Sequence, residues 1–306
     1  MRERKLAVCT GTAPLAPEDR VELLAVLATD PDELIAQRAA GVLLSQPHAA
    51  FLAALARPDA AQQLFRHCAK NLADKPEIAD ALARNPHCPA EVLLPVVRYL
   101  TTSAVQALME DLDRLSAAPA LAAAMATSHS ITAEQRRELQ ELQQESSDPA
   151  AIEEAVIAAE PDRVKRQTLL QRLARMRVVE RVQLALKDNR EERMALIRDP
   201  CKVVQRAVLQ SSRITDREVE AYAAMANLSE EVLRLIGNSR NFCKNYTVVR
   251  NLLNNPKTPL EITLHLLPNI TSQDLKLLTL NRNIPDTLRT MAIRLRRKRS
   301  QMRQGG

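Results

Sequence analysis

The sequence of 306 residues predicts an all-α protein, a right-handed superhelical stack of short antiparallel helix pairs. Three observations predict it. One connector phrase recurs between amphipathic segments. The apolar residues are almost wholly aliphatic. The helix-start signals return at steps close to one repeat length.

The connector reads Asn85-Pro86-His87-Cys88-Pro89-Ala90-Glu91-Val92. It returns as Asn255-Pro256-Lys257-Thr258-Pro259-Leu260-Glu261-Ile262, and more loosely as Asn281-Arg282-Asn283-Ile284-Pro285-Asp286-Thr287-Leu288. Each copy stops one helix at Asn, turns the chain, and starts the next with Pro and an acid in the first turn. Hydrophobic residues make up 46% of the chain and aromatics 2%, so the core is Leu, Ala, Val and Ile. Such a core suits short helices at close approach and argues against sandwiches and barrels. Only five glycines are present, too few for a phosphate loop or a dinucleotide fingerprint. The helix stops therefore fall to asparagine in the left-handed position, at Asn85, Asn189, Asn227, Asn238, Asn254 and Asn283.

Taken in order, the segments read as helices with one apolar stripe. Residues 89–100 place Val92, Leu93, Val96, Val97 and Leu100 on one face. Thr132 with Glu134 marks a start. Residues 200–211 align Val203, Val204, Ala207 and Val208. Thr215 followed by Glu218 spells a capping box. Ser229 opens a helix carrying Val232, Leu233 and Ile236. Residues 259–268 bring Ile262, Leu266 and Leu267, and the last helix brings Leu288, Met291, Ala292 and Leu295. Pro89, Pro259 and Pro285 take the first helical position. Anchors 89 and 132 are 43 apart, 215 and 259 are 44 apart, and 229 and 271 are 42 apart. These steps match paired-helix repeats. The register is lost between residues 140 and 200, and the first 80 residues fit it worst.

Ser146-Ser147-Asp148-Pro149 closes a polar stretch and divides the chain by charge. Residues 1–148 read as an acidic helical region of degenerate repeats. Residues 149–306 read as a basic repeat region with a cationic tail. Up to residue 150 there are 14 basic and 20 acidic residues; beyond it there are 29 and 17. Such asymmetry speaks to partners rather than to fold. No apolar run approaches the roughly 20 residues of a membrane span. The five cysteines are scattered and odd in number, the usage of a reducing compartment. A soluble, cytoplasmic protein is expected.

From Leu184 to Leu295 the phrases LALKDNREERMALIRDP, ITDREVEAYA, LSEEVLRLIGNSRNFCKNYTVVRNLLNNPKTP and NIPDTLRTMA resemble an uncharacterised bacterial α-solenoid family. Its units are similar to HEAT repeats, of the armadillo type, and to the leucine-rich repeat variant. The resemblance covers about a third of the chain well, and Leu72–Leu100 less so. It implies a curved superhelix whose inner face binds something. It does not carry catalytic activity over. HEAT-repeat metal hydroxylases have His-Glu pairs, whereas the five histidines here precede Ala49, Cys68, Cys88, Ser130 and Leu266. HEAT-like DNA glycosylases use Trp among their aromatics, and this chain has none.

Candidate sites follow from charge. Arg163, Arg166, Arg177 and Arg181 would fall within about 60° of one another on one uninterrupted helix. Arg294, Arg296, Arg297, Lys298 and Arg299 crowd the last helix. Both zones are candidates for an acidic partner or for phosphate. His67-Cys68 and His87-Cys88 present soft metal ligands, but adjacent residues diverge by about 100° on a helix, so no metal site is assigned. The pairs Glu153-Glu154, Glu191-Glu192 and Glu230-Glu231 read as charge at helix starts. No nucleophile–base spacing and no cofactor motif occurs. The expected function is a non-catalytic protein-binding scaffold that uses the basic half against an acidic surface. Nucleic-acid backbone binding is the alternative, and an enzyme with a divergent site is the second alternative.

Overall fold

Short helices rich in Leu and Ala hold together only if each stripe finds a neighbour and each end finds hydrogen-bond partners. The computed structural model describes residues 2–144, 152, 169, 171–187 and 189–304, with side chains through 301. Among the described residues every regular element is α-helical or 3-10. The chain divides into two compact units, Met1–Gln143 and Gln144–Gly306. The boundary expected at residue 148 lies outside the described residues.

In the first unit, Pro17–Leu27 packs on His48–Leu55, which packs on Pro76–Arg84, which packs on Thr102–Glu110. Between them in sequence, Gln62–Asn71 packs on Ala90–Leu93, and Ala90–Leu93 on Pro119–Ala126. The second unit repeats the scheme. One series runs Val178–Lys187, Lys202–Gln210, Glu230–Asn238, Leu260–Leu266 and Asp286–Gln304. The other runs Asp216–Ala224, Tyr246–Asn254 and Ser272–Leu280. Within each series a helix meets the next member, and most residues of the aliphatic stripes read from sequence are buried there, Met291 being the exception at 41% exposed. Val203, Val204, Val232, Leu233, Ile236, Leu252 and Leu278 are all buried. Full burial stabilises each such side chain by about 1.5–3 kcal/mol. Glu230–Asn238 and Leu260–Leu266 approach so closely that a Cβ on Gly237 would lie 2.2 Å from Ile262 Cγ2. Only glycine fits there.

The recurring asparagine works differently from the sequence expectation. Among the described residues only Gly11 has positive φ, at 78°. Asn85 (φ −77°, ψ 116°) and Asn255 (φ −85°, ψ 120°) are extended. They end helices through their side chains. Asn85 Oδ1 accepts from His87 N at 2.9 Å, and Asn255 Oδ1 accepts from Lys257 N at 3.0 Å. Each amide then reaches back 28–32 residues, a shorter step than the 42–44 read between helix starts in the sequence. Asn85 Nδ2 donates to Leu55 O (2.7 Å) and Arg57 O (2.8 Å). Asn255 Nδ2 donates to Ala223 O and Met225 O, both at 2.9 Å. One buried amide closes its own turn and satisfies the end of an earlier helix. Asn281 keeps the turn, accepting from Asn283 N at 2.9 Å, but its amide goes to Asn254 Oδ1.

The latch also appears in forms the sequence reading passed over. Ser211 Oγ accepts from Arg213 N at 3.3 Å and donates to Leu186 O at 2.9 Å. Asp199 accepts from Cys201 N at 2.9 Å but has no amide to donate. Arg181 supplies the donors: its Nε lies 2.8 Å from Asp199 Oδ2, and its Nη1 donates to Met176 O at 2.9 Å.

Helix starts follow the sequence with small shifts. Thr132, Thr215 and Ser229 are N-caps, and Thr215 with Glu218 forms the full capping box. Thr132 uses Gln135, rather than Glu134, to complete its box. Pro89 and Pro259 sit at the N-cap with ψ of 139°, one residue before the expected first-turn position. Asn189 begins a helix instead of ending one, in a capping box with Glu192. The uninterrupted helix expected through residues 163–181 breaks at Met176 and Arg177. There the Glu180 carboxylate takes the Arg177 N–H at 2.8 Å and starts a new helix.

Asn255→Ala is expected to cost about 3 kcal/mol, because it strands two carbonyls and one N–H. Asn255→Asp should cost at least as much, since it removes both amide donors and sets a carboxylate against the Ala223 and Met225 carbonyls. Urea denaturation of both variants checks this; a loss under about 0.5 kcal/mol would remove the latch from its structural role.

Candidate partner-binding surface

The second unit carries its surplus of cations in a divided way. Several of its carboxylates are paired within the unit. Glu192 pairs with Arg172, Asp199 with Arg181, and Glu218 with Arg193 at 2.9 Å. Arg234 holds both Glu231 and Glu261 at 2.9 Å, and Asp286 pairs with Arg289. Asp274 accepts from the Tyr246 hydroxyl. The Glu191-Glu192 and Glu230-Glu231 pairs do sit in first helical turns. Glu153-Glu154 lies outside the described residues.

Two of these ion pairs are core. Arg181 is 0% exposed and Glu218 1% in their side chains. Burial raises the Glu218 carboxyl, but hydrogen bonds from Arg193 and Thr215 outweigh it and hold the group below its ordinary range. Arg181 is therefore not a surface cation. Its place in the expected stripe is corrected: the helix break at Arg177 turns it inward onto Asp199. Arg177 is exposed but pairs with Glu180 at 3.2 Å. Arg163 and Arg166 lie outside the described residues.

The last helix, Asp286–Gln304, buries Leu288 and Ala292 against Ser272–Leu280 and Leu260–Leu266. Its cations do different things. Arg299 donates to Ile270 O and Pro268 O, both at 2.7 Å, and so caps the 3-10 turn Leu267–Asn269. Arg296 Nη1 donates to Thr279 Oγ1 at 3.3 Å. Arg294, Arg297 and Lys298 are exposed, and no carboxylate pairs with them among the described residues. Met291, Arg294 and Lys298 share one flank of the helix, at i, i+3 and i+7. Met291 is 41% exposed, and on the adjoining helix Leu277 and Leu280 are 57% and 69% exposed. The arrangement offers cations interleaved with aliphatic side chains, a surface suited to an acidic partner with some apolar area of its own. Sequence reasoning found the cations of the tail. It missed the exposed leucines, because Leu277 and Leu280 look like core until the helix is placed.

The His-Cys pairs do not converge on a metal. Cys68 and Cys88 are buried, and burial pushes their thiols up to about 12 and about 11. His67 stacks on Phe51 with ring centroids 6.0 Å apart. Among the described residues no group of three or more His, Cys, Asp or Glu side chains is placed to hold a metal ion. No described helix is long and apolar enough to cross a membrane. No protein-family model, curated protein or solved structure matches the chain.

Arg181→Ala leaves the buried Asp199 unpaired and is expected to cost about 3–5 kcal/mol, whereas Arg297→Gln should change stability by under about 0.5 kcal/mol. Equal effects in urea unfolding would contradict the division into core and surface cations. Because the folded Glu218 carboxyl is depressed, its contribution is fully present above the unfolded value near 4.3 and is lost as pH falls through the folded value. Thermal melts from pH 7 to pH 3 should lose part of their acid-side slope in Glu218→Gln.

Proposed function

We propose that the protein is a non-catalytic binding scaffold, a HEAT-like α-solenoid whose basic region, residues 149–306, engages an acidic surface of another protein. The repeat reading rests on the next-but-one packing within each unit and on the asparagine latch that accompanies it. The partner reading rests on one observation. In the second unit Asp199 and Glu218 are held in buried ion pairs, while Arg294, Arg297 and Lys298 stay exposed on the helix that carries Met291. Like charges at i, i+3 and i+4 cost a helix a few tenths of a kcal/mol per pair. An acidic partner removes that cost, and the exposed Met and Leu side chains supply apolar contact.

Backbone-level binding of nucleic acid is the second reading, favoured by the cation surplus alone. Tyr246 is the one exposed large aromatic of this unit among the described residues, which leaves stacking platforms unsupported. Affinity capture with the full chain, with and without nuclease and at low and moderate salt, separates the two. The scaffold reading expects a defined acidic protein retained after nuclease treatment. The triple variant Arg294→Gln, Arg297→Gln, Lys298→Gln should then weaken its binding about tenfold or more, mainly through slower association. Capture that vanishes with nuclease favours the second reading. In that case the triple variant should lower the salt slope of DNA or RNA binding by about 3.

A further inference from the structure

The acidic first unit holds a cationic cleft that the scaffold reading does not use. The cleft has a volume of about 600 Å³, within the range of small-molecule sites. Its walls come from Gln62–Asn71, from Val97–Tyr99, and from the residues around Asp74 and Val92. Arg66 and Lys70 stand one turn apart on the first wall, and Arg98 stands on the second. All three are exposed. The Arg98 guanidinium lies 4.7 Å from the centre of the Tyr99 ring, which holds its planar fork in place.

What the other cations of this unit do makes the cluster informative. Arg2, Lys5, Arg57 and Arg137 pair with carboxylates. Arg20, Arg114 and Arg136 donate to backbone carbonyls at helix ends, and Arg84 donates to Ser103. Lys75 lies 3.5 Å from Asp74, the one carboxylate on the cleft wall among the described residues. Among the described residues, five basic residues of this unit make no hydrogen bond or ion pair: Arg4, Arg38, Arg66, Lys70 and Arg98. Three of those five line this one cleft. In a unit with 14 basic and 20 acidic residues up to position 150, unpaired cations gathered at a concavity run against the overall charge. Arg66 and Lys70 also repel each other at i, i+4.

We infer that this cleft binds a small molecule bearing a multivalent oxyanion of the phosphate class. Arg98 supplies a bidentate fork for two oxygens, and Arg66 and Lys70 supply further charge from the facing wall.

The test uses the full chain and inorganic pyrophosphate, with inorganic phosphate as the smaller arm, by isothermal titration at low ionic strength. Saturable binding of pyrophosphate is expected. It should weaken at least tenfold in the double variant Arg66→Gln, Arg98→Gln. It should be unchanged in Arg4→Gln, Arg38→Gln, which removes the two unpaired cations outside the cleft. Equal melting temperatures of the three proteins show that the loss is not unfolding. The inference is overturned if neither anion binds saturably, or if the cleft variant binds as well as wild type. It is also overturned if only the tail variant Arg294→Gln, Arg297→Gln, Lys298→Gln loses binding, or if poly-glutamate binds through the cleft while pyrophosphate does not.

Discussion

Every short helix ends in carbonyls that need donors, and this chain has almost no glycine with which to meet that need by backbone twist. Its solution is a buried polar side chain at the helix stop. That side chain accepts from its own turn and donates to a helix end 28–32 residues earlier. Asn85 and Asn255 do this with a single amide, whose one acceptor and two donors match the three backbone groups waiting for them. Because the bond spans roughly 30 residues, it fixes the spacing of next-but-one helices as well as closing a turn. The aliphatic stripes provide most of the burial, but stripes of Leu and Ala slide easily past one another. The amide permits one register.

The same logic explains why the second unit carries buried arginines. When the helix stop is Asp199, the acceptor role survives and the donor role must come from elsewhere. Arg181 fills it, at the cost of burying a charge beside Asp199, whose carboxyl burial raises despite the arginine. Arg193 with Glu218 joins a capping box to the core in a similar way. Structural arginines thereby absorb carboxylates. Each such pair removes one charge of either sign, so the surface keeps the net positive charge of the unit, and the last helix displays part of it beside exposed Met291.

Cations therefore have three fates in this protein, and residue type does not separate them. Arg181 is core, Arg299 caps a 3-10 turn, and Arg297 faces solvent. In sequence all three look like members of basic runs. Arg66, Lys70 and Arg98 escaped notice for the opposite reason: they form no basic run, and 28 positions separate Arg98 from Lys70. Folding brings them to one cleft.

The helical character of the chain and the starts of several helices are legible in the residue order alone. Period-3.6 stripes and the caps at Thr132, Thr215 and Ser229 are local, so a local reading recovers them. It also showed that the Asn-Pro connector is a stop, but assigned the stop to backbone conformation. Only the tertiary structure decided that the asparagine acts through a bond to a helix some 30 residues away. The tertiary structure also decided which arginines are buried, which leucines are exposed, and which cations share a concave wall. Those outcomes depend on contacts between residues far apart in the chain, and no spacing within one helix encodes them.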